Sequence, residues 1–113
     1  MLKKNNRIRK NNDFDRAFKL GESFYGKIAS FKVVDNGLPN SRLGILISSK
    51  ISKKAVLRNK IRRQIRAIID KDLPLLKPGK DLVIVVFPLI LGKSFQEISA
   101  GLRRGLSKLS LYK

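Results

Sequence analysis

The stretch from Lys50 to Ile69, KISKKAVLRNKIRRQIRAII, decides how this chain is read. At about 100° per residue, Leu57, Ile61, Ile65, Ile68 and Ile69 fall on one apolar stripe about 120° wide. Arg58, Arg62 and Arg66 make an i, i+4, i+8 row beside that stripe, and Asn59, Arg63 and Lys60 continue around the rest of the circumference. Ser52 is the expected cap of a helix that runs to about Ile69. Such a helix rests its apolar side on a sheet and is cationic elsewhere. Like charges four apart each cost an isolated helix ~0.2–0.5 kcal/mol. The row therefore calls for a counter-charge, and a line of phosphates supplies one.

The flanking sequence provides the sheet. Residues 23–35 are rich in aromatic and β-branched types and read as strand, with Gly26 splitting them into two pieces. Asn36-Gly37 and Pro39-Asn40 are turn residues. Leu43, Ile45 and Ile47 alternate, so 42–49 is the next strand, expected antiparallel to the first. Downstream, Leu73 to Lys80 is a loop. Asp81 to Phe87 is an almost unbroken apolar run, as in a strand buried on both faces. Ser94 and Glu97 form a capping box, and the helix after it carries Phe95, Ile98, Leu102, Leu106 and Leu109 on one stripe. Near the start, Asn12 is the expected cap of a short helix over 13–20 that ends before Gly21. Its Phe14 and Phe18 share a face. Residues 1–11 read as an extended basic arm. The result is one layer of sheet covered by helices.

Composition bounds the chemistry. The chain has 113 residues and 12.8 kDa, the size of one domain, 1–113. With no Cys there are no disulfides, thiol nucleophiles or zinc knuckles, and with no His the Ser-His-Asp triad is excluded. The net charge is +18, and residues 36–69 hold nine Lys or Arg and no Asp or Glu. A solvated face mixes its signs, so this segregation implies a polyanionic partner. No apolar run approaches the ~20 residues of a membrane span, and the basic N-terminus lacks the apolar core of a signal peptide. A cytoplasmic protein is expected. The only close acidic pairs, Asp13 with Asp15 and Asp70 with Asp72, read as helix-end residues. We therefore expect no catalytic residue and no metal ligand in this chain. Any reaction would draw its chemistry from the partner.

The run Ala55-Val56-x-Arg58-Asn59-Lys60-x-Arg62-Arg63-x-x-Arg66 resembles the signature of a known family, the protein subunit of bacterial ribonuclease P. Leu2-Lys3-Lys4 through Arg7, Asp13-Phe14-x-x-x-Phe18-x-x-Gly21 and Ser110-Leu111-Tyr112-Lys113 are similar to it as well. Lys60 departs from the signature, which usually has arginine there. Lysine keeps the charge and loses the bidentate fork.

The resemblance implies an α+β fold, a two-layer α/β sandwich of order α-β-β-β-α-β-α. It also implies a left-handed β-α-β crossover around the basic helix, against the usual right hand. It implies a catalytic RNA that holds Mg2+ and removes the 5′ leader of precursor tRNA, with a single copy of the protein. Lys50, Lys53, Lys54, Arg58, Asn59, Lys60, Arg62, Arg63 and Arg66, with Arg7 and Arg9 of the arm, are then the expected RNA contacts. Phe14 and Phe18 match the aromatic positions of a leader cleft between the first helix and the sheet. Lys32 aligns with a third lining position on the following strand, with Tyr25 or Phe31 as substitutes.

Two other readings fit the same composition. One is a structural protein of another ribonucleoprotein, such as a ribosomal protein, which would not need a cleft for single-stranded RNA. The other is a DNA-binding protein with the basic helix in a major groove, though strands flank that helix and no helix-turn-helix partner is evident.

Overall fold

The computed structural model describes residues 4–113. Leu2 and Lys3, part of the expected arm, lie outside the described residues. Four strands, β1 (Glu22–Tyr25), β2 (Ala29–Asp35), β3 (Arg42–Leu46) and β4 (Lys80–Val86), form one sheet in the order β1-β2-β4-β3. Three helices accompany it: α1 (Asn11–Leu20), α2 (Ala55–Asp72) and α3 (Phe95–Lys108).

β4 holds the fold together. Leu82, Ile84 and Val86 belong to one core and Val83 to another, so both faces of the strand are covered. The larger core joins them to Phe31 and Val33 of β2, to Ile61, Ile65, Ile68 and Ile69 of α2, and to Ile98, Leu102 and Leu106 of α3. The smaller core, on the opposite face, joins Val83 to Ala17 and Phe14 of α1 and to Ile8. The apolar stripes read from sequence are thus the faces that α2 and α3 bury. Phe95, at the start of the α3 stripe, stays exposed.

Several expectations are corrected. β3 runs antiparallel to β2, as expected, but the two are not neighbours. β3 lies parallel to β4, which stands between them and is antiparallel to β2. The strand with the most apolar surface takes one of the two inner positions, beside β2. α2 connects parallel neighbours β3 and β4, so the β-α-β crossover is present.

The N-terminal segment is not a free extended arm. Residues Lys4–Asn6 make a 3-10 turn, Arg7 bridges Leu43, and the Ile8 N–H donates to the Leu43 carbonyl at 2.9 Å. With Ile8 buried on the edge of β3, only Arg9 and Lys10 remain to turn the chain into α1. α1 accordingly begins at Asn11, with Lys10 rather than Asn12 at the cap position and no side-chain cap.

Ser52 does not cap α2 either. Its hydroxyl accepts from the Lys54 N–H at 3.2 Å, and the helix starts at Ala55 with Lys54 in the cap position. At its other end α2 continues to Asp72, whose buried carboxylate accepts from Arg103 Nε (3.0 Å) and Tyr112 Oη (2.7 Å). Ser94 and Glu97 form the expected capping box.

Candidate nucleic-acid interface

α2 carries the first part of the interface. Lys50, Lys53, Lys54, Asn59, Lys60 and Arg63 are exposed, and Arg58, Arg62 and Arg66 are half-buried along the margin of the apolar stripe. No ion pair among the described residues involves any of the eight cations in this set. Two of the guanidiniums are positioned by neutral groups. Arg58 donates to the Ser52 carbonyl at 2.6 Å and braces the loop before the helix. Arg62 donates to Asn59 Oδ1 at 3.1 Å. Arg66 is held below the ordinary arginine pKa, by burial first and then by the charges of Arg7 and Arg62. The docked N-terminal segment therefore brings its cations up to those of α2.

The second part lies on the sheet face that carries α1. Strand register places Ser23, Lys32, Val83 and Gly44 in one cross-strand row, and Tyr25, Ser30, Val85 and Leu46 in the next. α1 crosses the first row. Phe14 sits on Gly44, where a Cβ would lie 2.4 Å from the ring. Phe18, 41% exposed, reaches over β2. Lys32 Nζ lies 5.9 Å from the Phe18 ring centroid and 5.4 Å from that of Tyr25, and donates to Ser23 Oγ at 2.8 Å.

Phe14, Phe18 and Lys32, singled out from sequence, are thus brought to one face. Tyr25 joins them, while Phe31 points into the opposite core and is no substitute. Two exposed rings with an ammonium between them suit an unpaired base: the rings stack and the cation meets its phosphate. The chain leaves β3 at the end of the second row and continues into Lys50, Lys53 and Lys54. Cleft and basic helix are thereby joined.

Sequence reasoning missed the framework that sets α1 in place. Arg42, counted among the cations facing a polyanion, is instead spent inside the fold. It donates to Asp81 Oδ1 (2.8 Å) and Oδ2 (2.6 Å), and also lies 3.4 Å from Asp13 Oδ2 on α1. Its pKa is raised, chiefly by the hydrogen bonds to Asp81. No local signal exposes a pair whose members are 39 residues apart.

Comparison with known proteins gives a consistent picture. The profile of the family described as ribonuclease P matches residues 2–110. The ribonuclease P protein component of a Pseudanabaena species is 36% identical over 109 residues, covering 96% of this chain and 94% of its own. Among solved structures, a Staphylococcus aureus RNase P protein, a mutant with defective mRNA degradation activity, superposes with a TM-score of 0.90. It shares 30% identity and covers 96% of this chain and 92% of its own. The RNase P protein from Thermotoga maritima superposes with a TM-score of 0.82 at 28% identity, covering 90% and 96%.

Proposed function

The chain belongs to the ribonuclease P protein family and is a protein component of that tRNA-processing ribonucleoprotein, and on this premise we propose a division of labour between its two surfaces. α2 binds the catalytic RNA through Arg58, Asn59, Lys60, Arg62, Arg63 and Arg66, with Lys50, Lys53, Lys54, Arg7 and Arg9 extending the contact. The cleft of Phe14, Phe18, Tyr25 and Lys32 takes the single-stranded 5′ leader of precursor tRNA. Holding the leader favours precursor over mature tRNA without touching the scissile bond. The observation that carries this reading is the pairing of a cationic helix that holds no acid before Asp70 with a separate aromatic row containing one lysine.

The RNA supplies the chemistry. The chain has no His and no Cys, and five of its eight acids are engaged within the fold. Asp13 and Asp81 meet Arg42, Asp35 meets Lys80, Asp72 meets Arg103, and Glu97 closes the capping box. Magnesium is accordingly held mainly by the RNA, which performs the hydrolysis. The working assembly has one copy of the protein and acts in the cytoplasm.

Two variants test the division. Arg62→Ala with Arg63→Ala should weaken binding to the catalytic RNA and flatten its dependence on log salt by about 0.7–0.9 per lost phosphate contact. An unchanged slope would remove these guanidiniums from the RNA. Phe18→Ala, at an exposed position, should weaken precursor binding by roughly 1–3 kcal/mol and leave mature tRNA unaffected. Equal losses for the two substrates would end the leader assignment.

A further inference from the structure

α3 meets the β1–β2 hairpin across glycine. A Cβ at Gly105 would lie 2.5 Å from the Phe31 ring, and one at Gly101 would lie 2.7 Å from Ile28 Cδ1. Glycine is unfavourable inside a helix, and here it lets the helix backbone approach the hairpin closely. The flank of α3 toward the hairpin therefore presents Glu97, Gly101 and Arg104 in successive turns. Gly101 has no side chain to close the space beside it, and Glu97 is drawn into the capping box. A cavity of about 560 Å³ is left between helix and hairpin. Small-molecule sites commonly enclose about 300–1,000 Å³.

The floor of this cavity is apolar. Phe24 and Phe31 form a tilted pair with ring centroids 6.1 Å apart, and Ile28 lies beside them. Leu89, 53% exposed on the turn after β4, makes a side wall. Four charged side chains complete the lining: Lys27, Lys93, Glu97 and Arg104. Glu97 Oε1 accepts from the Ser94 N–H at 3.1 Å, and Oε2 lies 3.8 Å from Lys93 Nζ, so these two charges offset each other. Lys27 on the hairpin and Arg104 on the helix are exposed, and neither has a hydrogen-bond or ion-pair partner among the described residues. The neighbouring Arg103, by contrast, is paired with Asp72.

We propose that this cavity binds a small organic acid, a flat apolar body carrying one anionic group. The body lies over Phe24 and Ile28 against Leu89, and the anion is held between Lys27 and Arg104. An apolar concave floor with two converging donors of one sign is the usual make-up of a site for such a ligand. RNA is a poorer occupant. The rings are sunk in the floor, Phe31 at 1% exposure and Phe24 half-buried, where Phe18 projects. A second copy of this chain is poorer still, because two bodies of charge +18 repel. The site is on the α3 side of the sheet, opposite the aromatic cleft, and stands independently of the RNA-binding reading.

Naphthalene-1-carboxylate is a suitable probe, with naphthalen-1-ylmethanol as its neutral counterpart. Each is titrated into the full chain at physiological salt and followed by amide chemical shifts. We expect saturable shifts at Gly26 and Gly101, with the carboxylate binding at least about tenfold more tightly than the alcohol. Lys27→Gln with Arg104→Gln, both at exposed positions, should bring the carboxylate down to the level of the alcohol and leave the alcohol unchanged. Leu89→Ala should weaken both probes alike, by several-fold. The Arg62→Ala, Arg63→Ala variant should bind the carboxylate as wild type does, and a loss there would move the anion to α2 and overturn the site. Equal affinity for the two probes, indifference to the double glutamine variant, or no saturation in protein with a folded amide spectrum would each overturn it as well. None of those results bears on RNA binding, which the salt series above tests separately.

Discussion

At Gly44 the sheet gives up a side chain so that Phe14 can lie against it. Gly44→Ala would place a methyl group 2.4 Å from Cε1 and 2.7 Å from Cζ of that ring. The ring is also held in the small core by Ile8, Ala17 and Val83, so it cannot step aside cheaply. Overpacking of this kind costs roughly 1–3 kcal/mol, and urea denaturation should show it. A neutral substitution would mean that Phe14 does not rest on β3. Phe18 projects beyond that contact, so displacing Phe14 should also weaken precursor binding. The i, i+4 spacing made the aromatic pair legible in the sequence. Nothing local announced the glycine beneath it, thirty positions along the chain and brought into contact only by β3.

At the scale of elements, Asp72 at the end of α2 accepts from Arg103 of α3 and from Tyr112 of the C-terminal segment, tying the three together. Burial, and then the hydrogen bond to Asp72, push the Tyr112 phenol up to about 12 from 10.0. A raised pKa means that the fold favours the protonated phenol. Its contribution is complete below pH 10 and is lost as the pH rises toward about 12. Tyr112→Phe should therefore be less stable by roughly 1 kcal/mol at neutral pH. The gap to wild type should narrow above pH 10, as followed by urea midpoints over an alkaline series. A gap that stays constant with pH would mean that the phenol does not donate to Asp72.

The helices themselves were legible because their stripes and the Ser94–Glu97 box are local patterns. Strand order was not. Sequence neighbours β2 and β3 suggest a hairpin by default, yet their common partner β4 arrives more than thirty residues later and claims the place between them. The docking of the N-terminal segment was hidden for a related reason: it hangs on a single apolar residue, Ile8, in a polar and basic context.

For the molecule as a whole, the charge of +18 works against compaction in the absence of its partner. Added salt should stabilise the free protein while it weakens the complex with RNA. About 1 kcal/mol of relieved repulsion moves the melting temperature of a domain this size by roughly 4–8 °C. Thermal melts at low and high ionic strength should therefore separate by several degrees, with the higher midpoint at high salt. A midpoint that falls with salt would show that internal ion pairs outweigh the repulsion. The cationic row on α2 and the aromatic pair on α1 gave the outline of the interface from sequence. How α1 partitions the sheet face, and which bases Arg42 removes from it, depends on contacts across the whole chain. The central place of β4 also has a consequence for biosynthesis. A ribosome delivers β1, β2 and β3 first, but β3 has no sheet partner among them apart from the bridge to Arg7. The arginine-rich segment therefore leaves the exit tunnel before the layer it will rest on is complete, and a nascent polypeptide cannot close its architecture until residues 80–86 have emerged.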